Sequence, residues 1–143
     1  MPRDSHEQVT EMLRKVPLFS MLSGKQLKTI AKSGKDLSYI PGQEIIQEGA
    51  LGVGFFLILD GHVRVRKGKK TLAELKTGDF FGEMSLFDEQ PRSATVEATG
   101  DTKCLGITAW SFIGMVKSNP DIAVNLMKEM AVRLRASNKA LAE

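Results

Sequence analysis

The sequence is short of the residues that staple, ligate or span. It has one cysteine, Cys104, and two histidines, His6 and His62, among 143 residues. A single thiol excludes an internal disulfide framework and any four-cysteine cluster, and it suits a reducing compartment. Two distant histidines with one cysteine make a poor ligand set, so no metal is expected. No stretch approaches the roughly 18 consecutive apolar residues of a membrane span. From Met1 to Lys15 the chain is charged and lacks the apolar centre of a secretory signal. Asn119, Asn125 and Asn138 all lack the glycosylation triplet. A cytoplasmic protein with no membrane partner is the expectation.

Catalytic patterns are also missing. None of Gly24-Lys25, Gly34-Lys35 or Gly68-Lys69 leads into the Ser or Thr of a phosphate-binding loop, and Gly52-Val53-Gly54 lacks the third glycine of a dinucleotide fingerprint. No combination of nucleophile, base and orienting group suggests hydrolysis, so no enzyme is expected. The net charge of +3 is mild. The one dense basic run is Arg64, Arg66, Lys67, Lys69 and Lys70, and it begins by alternating with Val63 and Val65. That reads as the solvent face of a strand entering a hairpin turn, and nucleic acid is not an expected partner.

What remains is a chain with 42% hydrophobic residues, enough for one domain across 1–143. Its texture changes twice. From Ser5 to Lys32 the pattern is helical: Val9, Leu13 and Val16 share a face, Pro17 interrupts, and Ser23 with Gln26 forms a capping box before Leu27, Ile30 and Ala31. The helical zone is set at 1–34. From 35 to 110 short strands alternate with glycine turns, and strands are predicted at 44–47, 55–59, 62–66, 71–75, 94–98 and 104–108. Pro41-Gly42 is a turn, Asp60-Gly61 is a strong hairpin signal, and Lys67-Gly68, Thr77-Gly78 and Thr99-Gly100 continue the series of turns. Gly49, Gly52 and Gly54 form a loose loop, and the run 55–59 is too apolar for a sheet edge. In the last zone, 111–143, Asn119 caps a helix with Pro120 at its first position. Ile122, Leu126, Met130 and Leu134 then make an apolar stripe. The fold class is mainly β with flanking helices.

The chemistry concentrates in 80–96, from Phe80-Phe81-Gly82-Glu83-Met84-Ser85-Leu86 to Pro91-Arg92-Ser93-Ala94. A glycine admits close backbone approach, and a short helical turn at Glu83 offers N–H groups to an anion. Arg92, just before a strand, has the planar fork that suits a phosphate. Glu83 repels an anion, so its presence points to a ligand bearing both a negative group and a hydroxyl donor. A ribose cyclic phosphate is such a molecule. A surface ion pair between Glu83 and Arg92 is the plain alternative.

These residues resemble the phosphate-binding cassette of the cyclic nucleotide-binding domain family: Phe-Gly-Glu-x-small-Leu at 81–86 and Pro-Arg-small-Ala at 91–94. The resemblance extends to Pro17-Leu18-Phe19, Pro41-Gly42, 45–49 and 56–61, and the last helix looks like that of catabolite-activator-type sensors. It implies a β-roll with N-terminal helices and a long C-terminal helix. Glu83 would accept the ribose 2′-OH and Arg92 would pair with the cyclic phosphate. Gly82, Met84, Ser85, Ser93 and Ala94 would complete the ligand-binding cradle, and Ser137 and Asn138 would reach the purine from two subunits. Cyclic AMP is the expected ligand, with cyclic GMP as the alternative. Output is expected through the C-terminal helix, toward a second copy or another protein, since no DNA-binding segment is read after that helix. Two other roles stay open: a ligand-free interaction module of the same fold, and the sensory part of a transcription regulator.

Overall fold

The computed structural model describes residues 6–51, 54–87 and 90–142; the expected helix start at Ser5 and Gly52 of the glycine loop lie outside these. Helix α1 (His6–Arg14) buries Val9 and Leu13, and Val16 follows on the same side. Val16 is extended, as a residue before proline must be, and Pro17 opens a 3-10 turn, Pro17–Phe19, that buries Leu18 and Phe19. Helix α2 (Gly24–Ser33) starts on the expected box. The Gln26 N–H donates to Ser23 Oγ at 3.2 Å and the Ser23 N–H to Gln26 Oε1 at 2.9 Å, satisfying two N–H groups that a helix start leaves free.

Among the described residues eight strands follow: β1 (Lys35–Tyr39), β2 (Glu44–Ile46), β3 (Gly54–Asp60), β4 (His62–Lys67), β5 (Lys70–Lys76), β6 (Phe80–Phe81), β7 (Thr95–Ala98) and β8 (Thr102–Thr108). They form two antiparallel four-stranded sheets, ordered β1-β8-β3-β6 and β2-β7-β4-β5. This two-sheet β-roll, with its helices and long C-terminal helix, is the expected fold class. β3 lies between β8 and β6, as its apolar run requires. Strands β1 and β6 were not anticipated. β1 carries Lys35, Asp36 and Ser38 and little strand signal; its order comes from pairing with β8, Lys35 opposite Gly106 through Tyr39 opposite Thr102.

The turn at Asp60-Gly61 corrects an expectation. It closes no hairpin, because β3 and β4 belong to different sheets. Gly61 has a φ of 130°, and a Cβ there would meet Thr102 Oγ1 at 2.6 Å, so the chain passes a tight corner instead. Thr77-Gly78 and Thr99-Gly100 likewise link strands of opposite sheets. The expected hairpin is at Lys67-Gly68, where Lys67 pairs with Lys70.

Alternation along β3 divides the core. Phe55, Leu57 and Leu59 face the helices with Leu13, Phe19, Leu27 and Leu105. Phe56 and Ile58 face the roll interior with Ile46, Val63, Val96 and Cys104. Burial pushes the Cys104 thiol up to about 12, so it is an inert packing residue.

Helix α3 (Ala109–Ser118) is capped by Thr108, whose hydroxyl accepts the Ser111 N–H at 3.0 Å. Helix α4 is Pro120–Ala142. Asn119 was expected to cap α4, yet its side-chain amide donates to Met115 O at 2.9 Å and so closes α3. The apolar stripe of α4 is shorter than expected: Ile122 and Leu126 are buried and Met130 half-buried, but Leu134 is 63% exposed. The helix runs past the body that would cover it.

Candidate functional site

The roll delivers 80–96 to its surface between two fixed ends. At the first, the Ile58 N–H donates to Asp79 O at 2.9 Å and the Gly78 N–H to Ile58 O at 2.8 Å. Phe81 stacks on Phe56 with ring centroids 5.1 Å apart. Gly82 then takes a φ of 83°, and a Cβ there would lie 2.5 Å from Gly54 O and 2.7 Å from the Arg92 guanidinium. Glycine is needed both for the left-handed backbone and for the approach of Arg92. A 3-10 turn, Glu83–Leu86, follows. Leu86 is fully buried among the helix-side core, and the Phe87 ring meets Phe112 of α3 edge-on at 5.5 Å.

The second end is a backbone clasp. The Arg92 N–H donates to Ala50 O at 2.7 Å and Arg92 O accepts the Gly49 N–H at 2.8 Å. The Glu48 N–H donates to Thr95 Oγ1 at 3.0 Å. The intervening Asp88-Glu89 of the cassette lies outside the described residues. Residues 82–85 and 90–93 line a cavity of about 280 Å³. It therefore gathers Gly82, Glu83, Met84, Ser85, Arg92 and Ser93 from the sequence reading, and adds Gln90 and Pro91. Ala94 is half-buried beside it and is not among its walls; Ser137 and Asn138 are exposed on the last turns of α4.

The charges are arranged unequally. Arg92 is half-buried; one terminal nitrogen donates to Gly54 O, and its Nε is buried without a partner. Burial lowers its pKa from the usual guanidinium value. Among the described residues no carboxylate lies within ion-pair distance of it. A desolvated cation without a counter-charge is unfavourable alone and is relieved by an anion. The plain alternative, a pair between Glu83 and Arg92, is not what forms. Glu83 Oε2 instead lies 3.4 Å from an Arg133 terminal nitrogen, with the two side chains 21% and 34% exposed. At that exposure the pair contributes about 0–1 kcal/mol, and Glu83 keeps its other oxygen as an acceptor.

Two participants escaped the sequence reading. The Gly54 carbonyl that holds Arg92 carries no side-chain signal, although the loose glycine loop marked its neighbourhood. Arg133 stands 50 residues after Glu83, and only the fold brings them together.

The family model described as "Cyclic nucleotide-binding domain" matches residues 36–119, which include the whole cassette. A cyclic AMP receptor protein from Thermus thermophilus is 33% identical over 130 residues, covering 87% of this chain and 60% of that protein. A cGMP-dependent protein kinase from Eimeria tenella is 41% identical over 85 residues, 59% of this chain and 8% of the kinase. The chain thus spans less than two thirds of either relative. Among solved structures, the N-terminal domain of a transcriptional regulator from Streptomyces coelicolor A3(2) superposes with a TM-score of 0.85. It is 28% identical, and the match covers 90% of this chain and 96% of that one.

Proposed function

The chain belongs to the cyclic nucleotide-binding domain family, and from that premise we propose that it is a cytoplasmic receptor domain for cyclic AMP, without catalytic activity of its own. The observation that carries the proposal is the Arg92 guanidinium, half-buried, unpaired by any described acid and facing a small cavity beside Glu83. Arg92 is assigned to the cyclic phosphate, with Gly82, Met84, Ser85, Ser93 and Ala94 around it. Glu83 is assigned to the ribose 2′-OH. The likeness of the last helix to that of catabolite-activator-type sensors supports cyclic AMP as the base choice.

The proposed output is the free end of α4. Its first turns are tied down: Gln26 Nε2 donates to Asp121 at 2.7 Å, Asn125 to Gln26 at 3.0 Å, and Ser20 to Glu129 at 3.2 Å. Just past its middle the helix meets the cassette through Arg133 and Glu83, so a ligand that engages Glu83 changes what holds the helix before its free end. Ser137, four residues beyond Arg133, shares this side of the helix and is the proposed purine contact. A second stripe lies roughly 130° round the helix at about 100° per residue. It comprises the exposed Val124, Met127, Ala131, Leu134, Asn138 and Leu141, which alternate at spacings of three and four. Such a seam, with one polar Asn, suits a parallel two-helix coiled coil and would present Asn138 to the partner subunit's pocket. Leu134→Glu is expected to turn that dimer into a monomer by light scattering. A wild-type chain that is monomeric at every concentration rejects the seam.

Calorimetric titration with cyclic AMP and cyclic GMP tests the receptor itself. Micromolar or tighter binding of cyclic AMP, lost in Arg92→Ala, is the expected result. No heat and no thermal shift with either nucleotide would overturn it in favour of a ligand-free interaction module.

A further inference from the structure

Beside β1 and the start of α3 lies a cavity of about 420 Å³. It is larger than the cassette cavity and, among the described residues, shares no wall with it. Its volume falls in the range of small-ligand sites, about 300–1,000 Å³. Leu37, Ile45 and Phe56 make an apolar floor. Trp110, the one tryptophan of the chain, stands at the edge with 86% of its surface exposed. An indole left so bare beside an apolar hollow has no packing role within this chain, and large aromatic side chains are the usual anchors of binding surfaces.

The polar groups are as selective as the apolar ones. Lys35, Leu37 and Tyr39 alternate along β1 and so share one face. That face places a cation and a phenol on either side of an apolar floor residue, all three at the cavity. Lys35 is exposed and has no carboxylate within ion-pair distance among the described residues. Burial, and then the neighbouring Cys104 thiol, hold the Tyr39 phenol above its usual value, so it stays a neutral donor. An ammonium and a hydroxyl donor above an apolar floor fit a ring system carrying one anionic group. We propose that this cavity is a second ligand site, separate from the cassette, for a small aromatic anion whose rings lie against Phe56, Ile45 and Trp110 and whose charge meets Lys35.

The probe pair is 1-anilinonaphthalene-8-sulfonate and N-phenyl-1-naphthylamine, the same rings with and without the anionic group. Each is titrated into the full chain while dye emission and Trp110 quenching are followed. The expected result is one saturable site that quenches Trp110 and binds the sulfonate about two- to fivefold more tightly than the neutral dye. Lys35→Glu, at an exposed strand position, should erase that preference and leave the neutral dye unaffected. Trp110→Ala should weaken both dyes. In Arg92→Ala both affinities should persist, because the cassette is elsewhere. Equal affinity for the two dyes, indifference to Lys35→Glu, or loss of dye binding in Arg92→Ala overturns the proposal; the last outcome would put the dye in the cassette.

Discussion

The basic hairpin and the cassette both carry arginine, and they treat it in opposite ways. On the β4–β5 face, Arg66 donates from Nε to Glu97 at 3.2 Å, and from its two terminal nitrogens to Gly68 O at 2.8 Å and Glu44 at 2.8 Å. Arg64 shares Glu97 at 3.5 Å. In the cassette, Arg92 is held by one carbonyl and a backbone clasp; its unpartnered Nε is a feature shared with Arg64, but its charge is unanswered by any described acid. Charge density therefore points to the hairpin, whereas unmet charge points to the cassette. The second is the better guide to a ligand, because a satisfied guanidinium has little to gain from another anion.

The contrast can be broken most decisively at Arg92. Arg92→Ala is expected to weaken nucleotide binding by about 2–5 kcal/mol while urea unfolding stays within about 1 kcal/mol of wild type. A large loss of stability instead would make Arg92 a residue of the fold rather than of the ligand site. Gly82→Ala comes next: the positive φ and the crowding of Arg92 should cost about 1–3 kcal/mol at the cassette. Calorimetry should show it as weakened binding; an unchanged affinity would mean that the cassette does not need the left-handed turn. Glu83→Ala should lose about 1–3 kcal/mol of binding by stranding the ribose hydroxyl. Its sharper form is a cycle with 2′-deoxy cyclic AMP, which should bind the variant no worse than cyclic AMP does. A further loss with the deoxy ligand would assign the hydroxyl to another residue. The smallest effect is expected at Arg66→Ala, about 0–1 kcal/mol of folding stability and none of binding. A binding loss there would mean that the hairpin face belongs to the site.

Much of the molecule could be read from local pattern. The capping box at Ser23 and Gln26, the interruption at Pro17, the central apolar strand and the hairpin at Gly68 all depend on residues a few positions apart. The cassette was legible for the same reason: Gly82, Glu83, Arg92 and Ser93 lie within one short stretch and line one cavity. The failures share a different cause. Asp60-Gly61 has the composition of a hairpin turn, but composition does not say which sheet the next strand joins. β1 has little strand signal of its own, and its order comes from pairing with β8. The stripe on α4 is continuous through Leu134 in sequence, and only the extent of the body beneath decides where burial ends.

By itself, then, the sequence determined most of the elements, the cap at Ser23, the alternating faces and the grouping of Gly82, Glu83, Arg92 and Ser93, because each is set by backbone preferences and side-chain periods over a turn or two of chain. The tertiary structure alone decided the two-sheet pairing, the meeting of Glu83 with Arg133, the Gly54 carbonyl beneath Arg92, and the separate cavity behind Lys35 and Trp110. Those features join residues tens of positions apart. Such contacts are set by the competition of many alternative pairings against the entropy of closing long loops, which no local pattern records.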